Sequence, residues 1–321
     1  MRLAFLAVAL VLPACPPPPT STPYYGPATY TPPDVTAPVM IDLAQAGVSV
    51  QHSYDFAFEG GRIEFELRRD DDRVIEVARN HYAVPLVIAW HLENLDNLAP
   101  LEPSAGVAVL PAAATPNGTG PAVVLTTMRI MDRMSSYHRE MQFHARFGDP
   151  DARPTPYTYR IPYRAPKRYS VLQGFHGGFS HHGSNEYAVD FDCPVATHVL
   201  AARPGVVVAT NAAAQGAGTT PEFLEYKRVN WVLVLHDDGT LGEYMHLAPA
   251  GVEVQPGTPV NRGDELALSG NTGYSSTPHL HFQVMTAGED GISAQSFPFK
   301  LAASAKKDEE PVQGRAYTSW E

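Results

Sequence analysis

Turn-forming residues interrupt this chain so often that no long helix fits between them. It carries 30 prolines and 25 glycines in 321 residues. Residues of this kind punctuate a chain into short segments. The segments between them alternate rather than follow a helical period. Arg62-Ile63-Glu64-Phe65-Glu66-Leu67 sets apolar against polar residues at period two, the spacing of a half-buried strand. Residues 84–90 and 122–125 are further strand candidates, separated by Gly60-Gly61, Pro116-Asn117-Gly118 and Gly148-Asp149-Pro150. Asn117-Gly118-Thr119 reads as a loop, and His138 and His144 as surface or structural histidines among charged residues.

Short strands recur in the second half at 206–208, 231–235 and 242–247. Between the last two, Asp237-Asp238-Gly239-Thr240 is a strong hairpin turn. Arg262-Gly263-Asp264 reads as a tight turn between strands rather than an adhesion motif. The expected fold is mainly β: a β-sandwich-like accessory domain at 39–166, then a C-terminal β-sheet or barrel-like domain at 167–303 and a tail at 304–321.

The N-terminal end carries its own signal. Met1-Arg2 precedes an apolar run and then Pro13-Ala14-Cys15, the pattern of a secretory leader at 1–15. Leu12-Pro13-Ala14-Cys15 resembles a bacterial lipobox, which makes Cys15 the expected lipidation site. The Pro-rich stretch at 16–38 reads as an extended tether. These features imply secretion across the inner membrane and an expected place in the bacterial cell envelope, lipid-anchored at the outer membrane or in the periplasm. Of the two cysteines the other is Cys193, a small buried apolar residue by expectation, so no disulfide framework is implied. The formal net charge is -11, with no basic block. Such a chain is a poor partner for nucleic acid, and it meets a membrane only through its lipid.

The chemistry gathers near the C-terminal end, at Pro278-His279-Leu280-His281-Phe282, with Tyr244-Met245-His246-Leu247 and Asp190-Phe191 upstream. Alternate residues of a strand share a face, so His279 and His281 point the same way. A catalytic zinc takes three ligands from His, Asp or Glu and keeps one position open. Spacing alone offers His176, His181, His182, Asp190, Asp192, His198, His246, His279 and His281. Adjacent same-face positions do not easily serve one ion. One of His279 and His281 is expected to ligate while the other contacts substrate or water.

Residues 169–300 resemble the lysostaphin/LytM-type zinc metallopeptidases, peptidase family twenty-three, which cut peptide bonds in bacterial cell walls. The resemblance runs through Phe179-Ser180-His181-His182-Gly183, Tyr187-Ala188-Val189-Asp190-Phe191, Ala201-Ala202-Arg203-Pro204-Gly205, Tyr244-Met245-His246-Leu247 and Ser269-Gly270-Asn271-Thr272-Gly273-Tyr274, into Pro278-His279-Leu280-His281-Phe282. It implies Zn2+ held by His181, Asp190 and His281. It implies His246 and His279 as catalytic residues that act on the attacking water and on the tetrahedral oxyanion. Tyr244, two residues before His246, is expected on the same strand face, lining the substrate groove. His181 is preferred over His182 by its place in the motif. Asp192 stands as a neighbouring carboxylate, His176 as a loop residue and His198 as structural. Two departures stand out. His181 and Asp190 lie farther apart than in the simplest members, and Thr277 occupies a position where Gly is common. The implied function is zinc-dependent hydrolysis of peptidoglycan stem peptides or cross-links. A silent wall-binding module that activates another wall hydrolase is the alternative.

Overall fold

A computed structural model describes residues 63–115 and 118–320. The leader, Cys15 and the 16–38 stretch lie outside the described residues. Within them the protein is mainly β, and helix is confined to short 3₁₀ turns such as Gly183–Asn185.

Seven strands come first: β1 (Ile63–Asp70), β2 (Arg73–Asn80), β3 (Leu86–Asp96), β4 (Leu98–Pro100), β5 (Ala105–Leu110), β6 (Val123–Ile130) and β7 (His138–Phe147). They form two sheets, ordered β1-β2-β6-β4 and β5-β3-β7. The sheets meet through side chains. The Phe65 and Phe143 rings lie 4.8 Å apart. The Arg139 guanidinium of β7 donates to both Glu76 oxygens of β2, at 2.7 and 2.9 Å, inside the core. β7 was not among the strand candidates. Its exposed residues His138, Glu140, Gln142 and His144 alternate with Arg139, Met141, Phe143, Ala145 and Phe147, which turn inward. The charged outer residues conceal the period.

The second part is built on a nine-stranded sheet. Its central strands lie in the order Gly205–Asn211, Trp231–Leu235, Leu241–Met245, Leu280–Ala287, Val189–Phe191 and Arg168–Gln173. The Asp-Gly turn forms as expected: His236 N–H donates to Thr240 O at 2.9 Å, and Gly239 takes φ of 81°. That left-handed conformation is one that glycine adopts without a steric penalty.

Both faces of this sheet are covered. One face presents Val232, Tyr244, Phe282 and Phe191 to a core completed by Tyr163 and Phe299, with Cys193 buried in it. The other presents Trp231, Leu233, Leu241 and Met285 to the same apolar core as β1–β7. Phe147 of β7 meets Trp231 there, with ring centroids 6.3 Å apart. The hydrophobic residues of the first seven strands and those of the large sheet therefore leave water together. Beyond the Trp231 end, this second face turns polar. Register aligns Trp231, Met245, His281, Asp190 and Gln173 in one row across five strands. The chemistry lies at the end of that row.

Candidate metal centre

Asp190 sits on a three-residue strand between two neighbours, opposite His281 on one side and Gln173 on the other. Its Oδ1 lies 3.0 Å from His281 Nδ1. Its Oδ2 lies 3.1 Å from His181 Nε2. One ligand atom from each of His181, Asp190 and His281 fits within 4.8 Å of the other two, and all three residues are buried. His279 Nε2 stands 3.7 Å from Asp190 Oδ1. The His246 ring centroid lies 4.4 Å from that of His279 and 6.0 Å from that of His281.

The loop between the Gln173 and Asp190 strands folds back so that His181 reaches the carboxylate across eight intervening residues. His176 N–H donates to Glu186 O, His181 N–H to Gly177 O, and Ala188 N–H to Asn185 O. His181 is buried and turned into the cluster. His182, its neighbour, is exposed and outside it. His176 is exposed and beside Glu186, Asp192 is exposed, and His198 lies 3.4 Å from Glu265. None of these four joins the cluster. His279 and His281 both face Asp190, as the alternation required.

Tyr244 departs from the expectation. It is fully buried, packs on Phe282 with centroids 4.9 Å apart, and accepts a hydrogen bond from Ala202 N–H at 2.7 Å. It lines the core on the opposite face of the sheet, not a groove beside the histidines. The reason is local. His246 follows the strand with φ of 62°, a left-handed conformation that is uncommon outside glycine. That residue breaks the alternation and swings the His246 ring to the Asp190 side. Such strain costs on the order of 1–3 kcal/mol and concentrates at functional positions. Thr277 is not among the described residues with left-handed backbone, so a side chain is tolerated there.

Backbone carbonyls fix the imidazole tautomers. A carbonyl only accepts, so the ring nitrogen facing it carries the proton. His181 Nδ1–H donates to Gly174 O at 2.8 Å, His246 Nδ1–H to Thr272 O at 2.7 Å, and His279 Nδ1–H to Thr277 O at 2.8 Å. In the neutral tautomer these contacts select, each ring presents a bare Nε2 lone pair. His181 Nε2 is buried, close to Asp190 Oδ2, and makes no hydrogen bond to it. A lone pair facing a carboxylate inside a protein is unfavourable unless a cation lies between them. His281 Nε2 is likewise buried without a partner. Two imidazoles and one carboxylate, with orphaned donor atoms, suit a divalent metal such as zinc.

Burial raises the Asp190 carboxyl, but the His181, His281 and His279 rings outweigh it and hold it well below the usual carboxylate range. Burial lowers His281, yet Asp190 prevails and keeps that ring above its ordinary value. Burial, with the neighbouring His279 and His281, holds His246 well below its ordinary value, so it stays neutral.

One residue of the cluster carries no signal in the sequence. Gln173 donates from Nε2 to Asp190 Oδ2 at 3.2 Å. An uncharged amide just ahead of a glycine-rich loop does not announce itself. Only its register opposite Asp190 identifies it.

This part of the chain resembles known proteins. Residues 184–292 match the model of Peptidase family M23, and this part of the chain is an M23 peptidase domain. The match includes Asp190, His246, His279 and His281, and His181 lies three residues before it. The glycyl-glycine endopeptidase ALE-1 of Staphylococcus capitis is 37% identical over 123 residues, which are 38% of this chain and 30% of that protein. The peptidoglycan DD-endopeptidase ShyA of Vibrio cholerae is 31% identical over 120 residues, which are 37% of this chain and 24% of that protein. The solved structure of lysostaphin from Staphylococcus simulans is 30% identical, covers 40% of this chain and 47% of that one, and superposes with a TM-score of 0.30. The matches to ALE-1 and ShyA thus span less than a third of the length of either protein.

Proposed function

We propose that this chain is a zinc-dependent endopeptidase that hydrolyses amide bonds in peptidoglycan stem peptides or cross-links. The observation that carries the reading is the buried, unpartnered Nε2 of His181, 3.1 Å from Asp190 Oδ2, with His281 Nδ1 3.0 Å from the other carboxylate oxygen. His181, Asp190 and His281 would hold the ion, which would supply Lewis acidity for attack on a peptide carbonyl. His246, neutral and with its Nδ1–H given to Thr272 O, has Nε2 free to take the proton of the attacking water. His279 has given its Nδ1–H to Thr277 O. It donates to the developing oxyanion when Nε2 also carries a proton. The name of ShyA, a peptidoglycan DD-endopeptidase, supports a wall peptide as the substrate, and that of ALE-1 supports cleavage within a peptide.

The reading extends to place. Lipidation at Cys15 and the tether at 16–38 hold the catalytic part near a bacterial envelope membrane, within reach of the wall. The leader sequence motivates this.

The test is digestion of purified peptidoglycan, with mass spectrometry of the released muropeptides and an Asp190→Ala control. New peptide termini made by the wild type and absent with the variant support an endopeptidase. Intact wall with zinc-loaded protein, beside an active control enzyme, sinks the reading. If both proteins stimulated a second wall hydrolase equally, the silent activator would take its place.

A further inference from the structure

Gln173 ends its strand directly opposite Asp190, and its side chain is almost wholly buried, the residue being 6% exposed. Nε2 donates to Asp190 Oδ2 at 3.2 Å and to Ser180 Oγ at 2.8 Å. Oε1 accepts from the backbone N–H of Phe179 at 2.8 Å and from that of Ser180 at 3.1 Å. These contacts use both donors and both lone pairs of the amide. They also fix its orientation. Two backbone donors face the oxygen, so the nitrogen must face the carboxylate.

One planar group therefore ties the Asp190 carboxylate to the backbone that immediately precedes His181. The space for it is reserved. A Cβ on Gly177 would lie 2.1 Å from Gln173 Cγ.

We propose that Gln173 is a positioning residue for the metal centre. It locks the His181 loop to Asp190 and occupies one side of Oδ2, so the carboxylate presents a single orientation to the ion. This answers a problem set by the sequence. Eight residues separate His181 from Asp190, and a loop of that length does not hold two ligands in register by itself. The inference rests on the metal reading of the site. Groups that orient ligands in this way typically contribute about 10- to 100-fold in metal affinity.

The test uses the full chain. Zn2+ affinity is measured by competition with a chromophoric chelator, and Co2+ substitution provides an absorption spectrum of the site. Gln173→Glu keeps acceptors for the loop but sets a carboxylate against Asp190. Gln173→Met approximates the volume and removes the polar contacts. Both variants should bind Zn2+ about 10- to 100-fold more weakly than the wild type. Their Co2+ bands should shift while circular dichroism stays unchanged. Wild-type affinity and an unaltered Co2+ spectrum in folded Gln173→Met would overturn the inference and leave a packing role only. Should neither variant fold, Gly177→Ala displaces the amide from outside. The same loss and band shift are expected, and an unchanged site would overturn the proposal. A wild-type chain that binds no Zn2+ overturns the metal reading itself, and this inference with it.

Discussion

Asp190 and His281 stand directly opposite each other on adjacent antiparallel strands, with Oδ1 3.0 Å from Nδ1. Rigid sheet register, not a loop, sets that pair. His281→Ala should therefore abolish tight metal binding without disturbing the strands around it. Calorimetric titration with Zn2+ should find about one ion per wild-type chain and at least 100-fold weaker binding in the variant. Equal affinity would remove His281 from the ligand set.

His246 belongs to a different class of contact. It faces the cluster, but its Nδ1–H donates to Thr272 O and its ring lies nearest His279. His246→Ala should keep the metal and lose turnover, by about 10²- to 10⁴-fold in kcat. Metal content and peptide release measured on the same preparation separate the two effects. Loss of the metal itself would make His246 a ligand or a support for one.

Phe147 and Trp231 join β7 to the large sheet, and both are essentially inaccessible to water. Truncating a buried Phe to Ala typically costs about 3–5 kcal/mol, through lost burial and the cavity left behind. Phe147→Ala should lower stability by about that much. It should also lower the temperature at which the metal centre is lost, because one core serves both parts. Urea unfolding followed by tryptophan fluorescence and by metal release should move together. Metal release that stayed put while fluorescence shifted would show that the two parts unfold separately.

His236 supplies a pH dependence away from the metal. Burial, aided by the positive charge of Arg203, pushes its ring down to about 3. The unfolded ring titrates near about 6.5. The folded value is depressed, so the unfolded chain binds the proton more readily over that interval. Stability from the neutral ring is present above about pH 6.5 and is lost as pH falls toward about 3. The wild type should lose on the order of a few kcal/mol over this window from His236 alone. His236→Gln should show a shallower fall in melting temperature between those pH values. Parallel profiles for the two proteins would remove His236 as the cause.

Much of this was legible in the sequence, for reasons that differ by residue. The Trp231–Leu235 and Leu241–Met245 hairpin was readable because an apolar β-branched run meets an Asp-Gly turn. The facing of His279 and His281 followed from period-two geometry alone. β7 was not readable, because charged residues on its open face outweighed the alternation beneath them. Tyr244 was assigned the wrong face because alternation was carried one residue too far. The left-handed backbone at His246 resets it, and no side-chain pattern announces that φ. His181 and His182 are adjacent and chemically identical, so motif position alone favoured His181, and burial separates them in the structure. Gln173 and the shared core at Trp231 are long-range facts. They depend on which strands become neighbours, and a linear pattern does not contain that information.

The most direct measurement is anomalous X-ray scattering at the zinc edge, from a crystal of the full chain grown with Zn2+. A single strong peak should lie within ligand distance of His181, Asp190 and His281, with His246 and His279 beside it but not bonded. A peak elsewhere, or none at this cluster with zinc in excess, would contradict the assignment of these three side chains to one metal ion.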